Sequence, residues 1–440
     1  AQGTCLAQTA CSSCLALAFA CRRAMGSISI PTEEQVEQLQ AGVDLACAKA
    51  ADAISKADVL VLCTGVGFSA DSCLAVCADV AQVPPYKDRG SLYHDICQPS
   101  YLRDEPDLFW GFWGQCYNDY RETAPHAGYE IIERWVEERF RHSDLARSLR
   151  EHTSEVEDRP KIEPYQVTER PGAFYVFTSN VDAHHFDWFR PSEIWECHGN
   201  TEIYQFSASC PGVWRAPDGF KFRVDQGTML ADSGEALSPG AELQVVVTEK
   251  KDIADKPCIG QVSGGGRPHA LRYMPAPSCD ASAGFATNHP TCINCGGPGR
   301  PAILMFGDSS WQDVESQESR WVAWQRAVEE LVVDTEDKVV RIVILELGAG
   351  GNVPTVRRTS EACLKNFLES GADAHLVRVN PDLPLGDHSE RFGPGGDESH
   401  RVISVMALGF GSLQKIDACV ARLQEGCTVE EAAEAASRVQ

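Results

Sequence analysis

Residues 59–72, VLVLCTGVGFSADS, decide how the chain is interpreted, because a short apolar run passes directly into a glycine-containing turn. The run Val59–Leu62 is typical of a buried strand, and the small polar residues after Gly67 are typical of a helix start. Glycines at such a junction let backbone N–H groups and the helix N-terminus approach a phosphate. Taken alone, the pattern indicates either a tight strand-to-helix turn or a phosphate-binding loop.

Four further apolar runs resemble the first, and helical patterns lie between them. They are residues Phe174–Thr178, Val339–Leu347, His375–Val379 and Val402–Leu408. Strands that alternate with helices predict an α/β fold with a doubly wound, Rossmann-like parallel sheet. Ligands of such sheets gather beyond the carboxyl ends of the strands, and the first four runs end there in Gly, Asn or Asp.

Helix signals support the same architecture. Thr32 and Gln35 form a predicted capping box, which starts a helix over residues 33–56. Further helices are predicted over residues 129–140 and 317–331, and an acidic amphipathic helix follows Thr428. We therefore expect a main Rossmann-like domain over residues 31–206 and 301–425.

The other segments are assigned by composition. Residues 207–300 are rich in Gly, Pro and Cys and have little periodicity, which predicts a small module inserted into the main domain. Residues 1–30 are expected to form a leader or a disordered N-terminus, and residues 426–440 a C-terminal helix.

Charge and hydropathy narrow the class of protein. The chain has 39 Lys and Arg against 63 Asp and Glu, a net charge of −24, which argues against a nucleic-acid-binding surface. No segment has the composition of a transmembrane helix, so we expect no membrane association and a cytoplasmic or nuclear location. The 19 cysteines lie scattered in apolar segments, which favours buried reduced thiols over a disulfide framework.

One cysteine pair has the spacing of metal ligands. Cys292 and Cys295 form a CxxC, and thiolates at that spacing bind structural zinc. Cys210 is the third expected ligand of this zinc-knuckle-like site. The fourth is left open among Cys258, His269, Cys279 and His289, and the alternative is a knuckle that has lost its metal.

Two features decide between classes of nucleotide enzyme. No acidic residue stands where a plain Rossmann dehydrogenase needs one, at the end of its second strand, so that class is disfavoured. His198 follows a short apolar segment, and its imidazole suits proton abstraction from a sugar hydroxyl, although a single His is often structural.

The pair His184 and His185 is assigned to the surface.

Six short motifs resemble, in the same order, those of the sirtuins, which are NAD-dependent protein deacylases. They are GVGFSADS at 65–72, TSNVD at 178–182, HG at 198–199, CINCGGPGRPAILMFGD at 292–308, GAGGNVPTV at 348–356 and VN at 379–380. The resemblance extends over about residues 50 to 410. Where the family has Asp-Phe-Arg after the glycine motif, this chain has Val76, Cys77 and Ala78, and Arg89 or Lys87 is a possible substitute for the arginine.

The resemblance implies a role for each matching residue. Residues implied to hold the NAD pyrophosphate are Gly65, Val66, Gly67 and Ser69. Asn180 would face the nicotinamide ribose, Asp182 would bind the carboxamide, and His198 would be the general base. The adenosine half would lie against Gly348, Ala349 and Asn380, and an acyl-lysine peptide would pair as a strand with Met305, Phe306 and Gly307.

The implied reaction transfers the acyl group of an acylated lysine in a protein or peptide to NAD, releasing nicotinamide and O-acyl-ADP-ribose. The missing Asp-Phe-Arg leaves two alternatives open. One is another NAD consumer, an ADP-ribosyltransferase or NAD glycohydrolase. The other is a non-catalytic module that binds NAD or ADP-ribose.

Overall fold

The computed structural model describes residues 28–74, 83–90, 93–153, 167, 169–207, 210, 212–236, 281–335, 338–388 and 390–439. The strands are β1 Val59–Thr64, β2 Phe174–Thr178, β3 Ile194–Glu196, β4 Gly199–Phe206, β5 Val213–Arg215, β6 Gly299–Ile303, β7 Arg341–Leu347, β8 Asp373–Val379 and β9 Val402–Val405. The α-helices are α1 Glu33–Ala41, α2 Val43–Lys56, α3 Val66–Ala70, α4 Pro84–Lys87, α5 Tyr93–Ile96, α6 Tyr101–Asp104, α7 Pro106–Glu122, α8 Gly128–Trp135, α9 Asp144–His152, α10 Glu315–Asp334, α11 Thr355–Glu369, α12 Gly409–Gln424 and α13 Val429–Ala436. Every helix in this part of the chain is too short or too polar to cross a bilayer.

Six strands form the main sheet, in the order β3-β2-β1-β7-β8-β9, and every pairing in it is parallel. All residues of β1 are buried, as are all but the first of β7, because helices cover both faces. This confirms the predicted α/β fold with a Rossmann-like parallel sheet. The chain runs from β1 outward to β2 and β3 and then returns to β7 on the other side of β1, so a topological switch point lies between β1 and β7.

Backbone hydrogen bonds continue from strand to strand at the carboxyl edge of this sheet. The backbone N–H of Cys197 donates to the carbonyl of Thr178 at 2.9 Å, that of Ser179 to Thr64 at 3.2 Å, that of Gly65 to Leu347 at 3.0 Å, that of Gly348 to Val379 at 3.1 Å and that of Asn380 to Val405 at 3.1 Å. The loops that follow all six strands are therefore held side by side along one edge. That edge carries the predicted site.

A smaller antiparallel sheet, β5-β4-β6, belongs to a second apolar core. In this core the indole of Trp110, on α7, stacks on Phe222 and on Tyr204 of β4. The second core therefore takes in α7, which precedes the 207–300 segment in the chain. Sequence composition detects only the part of this unit that lies between 207 and 300.

The observed helices can be compared with three helices predicted from the sequence. The helix predicted over residues 33–56 breaks at Gly42, although its capping box is confirmed, with Gln35 N–H donating to Thr32 at 3.3 Å. The pattern over 129–140 ends in a π-helical turn, Val136–Phe140. The helix predicted after Thr428 is confirmed as α13, with Thr428 as its N-cap.

The cysteine prediction holds for most of the described thiols. Cys47, Cys63, Cys97, Cys116, Cys363 and Cys419 are buried and are not disulfide-bonded. Burial raises the pKa of the Cys47 and Cys363 thiols to about 12, so these groups are inert. The prediction is wrong at Cys73, which is disulfide-bonded.

Candidate functional site at the carboxyl edge of the sheet

The glycines after β1 and β7 are required by the contact between their two loops. A Cβ on Gly65 would lie 2.7 Å from the Cα of Ala349, and one on Gly67 would lie 2.8 Å from the Cα of Gly348. Gly348 itself has a φ of +64°. The two loops meet backbone to backbone at the switch point, and the turn delivers helix α3 there, with Val66 at its first position and exposed.

Ser69 and Asp182 connect the loop after β1 to the loop after β2. The Ser69 hydroxyl donates to the Asp182 carboxylate, which also accepts from the His184 backbone N–H at 3.0 Å. Burial acts to raise the pKa of Asp182, but the nearby imidazoles of His184 and His185 and the Ser69 bond hold that pKa below its usual range. A buried carboxylate thus stays ionised at this edge of the sheet.

Asn180 lies between these groups and has hydrogen-bonding capacity to spare. Its side chain is 5% exposed, yet neither Nδ2 nor Oδ1 has a hydrogen-bond partner among the described residues. A buried polar group left unsatisfied costs roughly 1–3 kcal/mol. A polar ligand that bonds to this amide removes that cost, so the site fits a sugar or similar hydroxyl-bearing group.

His198 lies against the same loop. Burial lowers the pKa of its imidazole to about 4, a shift that a hydrogen bond to the Ser179 backbone carbonyl opposes. The imidazole is therefore neutral near pH 7: one ring nitrogen donates to Ser179, and the other carries a lone pair that accepts a proton. The structure thus brings His198 and the Asn180 loop together.

The assignment of His184 and His185 to the surface is wrong. Both lie in a buried 3-10 turn, His184–Asp187, beneath the Asn180 loop. The Nε2 of His184 is 3.0 Å from the carbonyl of Tyr120, at the end of α7. Sequence reasoning missed these two residues because their partners come from segments distant in the chain.

Asn380 has a different environment from Asn180. Its Oδ1 accepts from the backbone N–H groups of Asp382 and Leu383 at 2.9 and 2.8 Å, and its Nδ2 donates to the Ala349 carbonyl at 2.8 Å. The amide thus fixes the loop after β8 and ties it to the loop after β7. Asn380 shapes the predicted adenosine end of the site through these bonds.

Two buried arginines, which the sequence did not single out, support the loop after Asn380. Arg378 lies 2.7 Å from Glu346, and Arg357 lies 2.6 Å from Asp387. Arg357 also donates to the carbonyl of Leu383 at 2.8 Å. The arginines and Glu346 are fully buried, so this polar cluster holds the loop with little access for water.

The segment predicted to pair with a peptide follows β6 and adjoins His198. The N–H of Leu304 donates to the His198 carbonyl at 3.0 Å. The N–H of Phe306 donates to the Cys97 carbonyl at 3.0 Å, and the Met305 carbonyl accepts from Asp308 at 3.3 Å. Two backbone groups of Met305 and Phe306 are therefore already bonded within the chain, whereas Gly307, with a φ of +67°, forms the turn.

The three predicted zinc ligands converge. The thiol sulfurs of Cys210, Cys292 and Cys295 lie within 4.8 Å of one another, which fits the soft, tetrahedral donor set that zinc prefers. His289 is not part of this cluster, since its Nε2 is 2.9 Å from the Ala231 carbonyl. The other candidate fourth ligands, Cys258, His269 and Cys279, lie outside the described residues.

The residues that depart from the sirtuin pattern lie outside the described part of the chain, whereas the two residues named as substitutes lie within it. Val76, Cys77 and Ala78 lie outside the described residues. Arg89 forms an exposed ion pair with Glu105 at 3.4 Å. Such a pair is weak, so the guanidinium of Arg89 is easily redirected.

Comparisons with known proteins gave matches among solved structures alone. No family model matches the chain, and no curated protein does. A Sir2 homologue in complex with NAD aligns with 86% of this chain and 94% of its own, at 12% identity and a TM-score of 0.42. Sir2Tm bound to a propionylated peptide aligns with 86% of this chain and 97% of its own, at 14% identity and a TM-score of 0.39. These likenesses are distant in both sequence and structure.

Proposed function

We propose that this protein is an NAD-dependent protein-lysine deacylase that releases nicotinamide and O-acyl-ADP-ribose. The observation that carries the proposal is the buried carboxamide of Asn180, which has no partner in the described part of the chain, beside the neutral imidazole of His198. Both lie at the carboxyl edge of a parallel sheet, next to its switch point, where ligands of this architecture bind. Their order and spacing in the sequence resemble those of sirtuins.

Each residue has a defined task in this proposal. NAD, when bound, supplies a ribose carbon from which nicotinamide departs. Asn180 bonds to hydroxyls of that ribose, and His198 accepts a ribose hydroxyl proton on its free nitrogen. Asp182, ionised and held by Ser69, binds the carboxamide of the nicotinamide. Gly65 and Gly67 bring the start of α3 to the pyrophosphate.

The acyl-lysine peptide enters along residues Met305–Gly307 in this proposal. The buried ion pair between Arg300 and Asp308, at 2.8 Å, fixes both ends of the segment. The bond from Leu304 to His198 sets the distance between the segment and the base. A peptide strand paired here would present its side chain toward His198.

One observation favours an alternative. The Phe306 N–H already donates to the Cys97 carbonyl, so this backbone donor is not available to a peptide strand that pairs with the segment. If water attacks the ribose carbon in place of the acyl oxygen, the protein is an NAD glycohydrolase. If another nucleophile attacks that carbon, the protein is an ADP-ribosyltransferase. Both use the same NAD-binding residues.

Mass spectrometry of the products distinguishes these reactions. The protein is incubated with NAD, with and without an acetyl-lysine peptide. O-acetyl-ADP-ribose formed only with peptide supports the deacylase, and ADP-ribose formed without peptide supports the glycohydrolase. A His198→Ala variant should lose product formation, whereas His142→Ala, at an exposed imidazole, should retain it. Full deacylation by His198→Ala would overturn the assigned role of the base.

The thiol cluster supports a second proposal, that Cys210, Cys292 and Cys295 hold a structural zinc ion. The purified protein should contain about one zinc per chain, measured by elemental analysis. Cys292→Ser should lower the zinc content and the melting temperature together. A zinc content far below one per chain would contradict the proposal.

A further inference from the structure

Three fully buried polar side chains lie directly beneath Asn180. Thr64 ends β1, Thr178 ends β2, and His185 lies in the turn after Asp182. The hydroxyls of Thr64 and Thr178 are 2.7 Å apart, and the Nε2 of His185 is 3.0 Å from the Thr64 hydroxyl. The Thr178 hydroxyl accepts from the Asn180 backbone N–H at 3.0 Å.

Two proton arrangements bond both hydroxyl hydrogens of this group. The one in which Thr64 donates to the Nε2 of His185 would leave an Nδ1–H buried without an acceptor among the described residues, so the other arrangement is favoured. In the favoured arrangement, the Thr178 hydroxyl donates to the Thr64 backbone carbonyl at 3.2 Å and accepts from both the Thr64 hydroxyl and the Asn180 N–H. The Thr64 hydroxyl then has a lone pair left for a donor, which must be the Nε2–H of His185. The Nδ1 of His185 has no partner among the described residues, as befits the bare nitrogen of that tautomer.

We infer that His185, Thr64 and Thr178 form a positioning relay that fixes the Asn180 backbone and so directs its carboxamide toward the nucleotide. The effect on the nucleotide rests on the proposed function, whereas the relay itself does not. Neither threonine touches the ligand in this inference. They act through Asn180.

Packing alone does not explain these hydroxyls. Thr64 and Thr178 are already aligned as partners in the parallel pairing of β1 with β2. Valine has the same shape and fits a buried strand at least as well. What valine lacks is an acceptor for the Asn180 N–H, so the hydroxyl of Thr178 serves the loop beyond the strand.

Hydroxyl removal and restoration test the relay. Thr178→Val should raise the NAD concentration for half-maximal nicotinamide release about tenfold, equal to about 1.4 kcal/mol, with a smaller change in kcat. Thr178→Ser, which restores the hydroxyl, should remain within about twofold of the wild type. Thr335→Val is the control, because it removes a hydroxyl outside the sheet. That hydroxyl lies at the end of α10 and donates to the carbonyl of Leu331 at 2.6 Å, so its loss should not change the NAD dependence. Equal effects of Thr178→Val and Thr178→Ser would overturn the relay.

A second measurement needs no NAD. Nitrogen-15 NMR of the histidine rings should show His185 as the neutral Nε2–H tautomer in the wild type and an altered ring signal in Thr64→Val. An Nδ1–H tautomer in the wild type would overturn the relay. If the wild type shows the Nε2–H tautomer but neither binds nor consumes NAD, the relay stands and the proposed function fails.

Discussion

Ser69 and Asp182 are joined by a buried side-chain hydrogen bond, although 113 positions separate them in the chain. The bond connects the helix that follows β1 to the loop that follows β2. Together with the nearby imidazoles of His184 and His185, it keeps the carboxylate ionised although burial acts to raise its pKa. The carboxylate lies next to the amide of Asn180, which has no partner within the described ranges. The site is therefore assembled from several strand ends at once.

Removing the Ser69 hydroxyl should destabilise the fold and weaken NAD binding. Ser69→Ala leaves the Asp182 carboxylate buried without one of its donors, which should lower the free energy of unfolding by about 1–3 kcal/mol. Urea unfolding measures this loss. Ser437→Ala, which removes an exposed hydroxyl bonded to Glu434, is the control. Equal losses in the two variants would contradict the role assigned to Ser69.

The pH dependence of nicotinamide release should reveal the base. Burial holds the pKa of His198 at about 4, so at pH 5.5 the imidazole is still almost wholly neutral and able to accept a proton. An ordinary imidazole, with a pKa of about 6.5, would be about nine-tenths protonated there. The initial rate should therefore be nearly the same at pH 5.5 and pH 7.5. A tenfold lower rate at pH 5.5, in protein still folded, would show that this base titrates normally.

Buried imidazoles should make stability sensitive to acid. Burial lowers the pKa of His126 to about 3 and that of His185 to about 4, whereas an unfolded imidazole titrates near 6.5. Between these values the unfolded chain binds more protons, so stability falls as the pH is lowered from about 6.5 to 4, by about 1.4 kcal/mol per pH unit for each histidine. The carboxyl of Asp71 acts in the opposite direction, since burial raises its pKa to about 6.

His126→Gln isolates this effect. The Nε2 of His126 lies 3.2 Å from the Phe68 carbonyl, and its Nδ1 accepts from the Gly128 N–H at 3.0 Å. Glutamine can donate and accept without titrating, so the unfolding free energy of the variant should vary less between pH 7 and pH 5. His142→Gln, at an exposed ring, should keep the wild-type slope, and the same slope in both variants would refute the explanation.

The buried arginine behind the Asn380 loop should contribute far more to stability than an exposed one. Arg378→Met leaves the buried Glu346 without its nearest cationic partner, which should cost about 3–5 kcal/mol of unfolding free energy. Arg422→Met removes an exposed ion pair with Glu425 and should cost less than about 1 kcal/mol. Chemical denaturation compares the two, and similar costs would mean that Glu346 is not held by Arg378.

Sequence patterns predicted the sheet better than the polar interior. The second strand, Phe174–Thr178, was predicted at its observed ends because apolar, β-branched residues are followed at once by turn residues. The burial of His184 was not predicted, since it depends on the carbonyl of Tyr120 in a separate helix. The different hydrogen bonding of the Asn180 and Asn380 amides was also not predicted, because both residues follow a strand and differ only in which neighbours contact them.

Calorimetric titration with NAD tests the central claim most directly. The account predicts that the wild-type protein binds NAD, that Asn180→Ala binds it at least tenfold more weakly, and that Asn118→Ala leaves the affinity unchanged. Asn118 is a suitable control because its amide bonds to the backbone of Phe222, within the second core. Wild-type affinity in Asn180→Ala, or no binding of NAD by the wild type, would contradict the account.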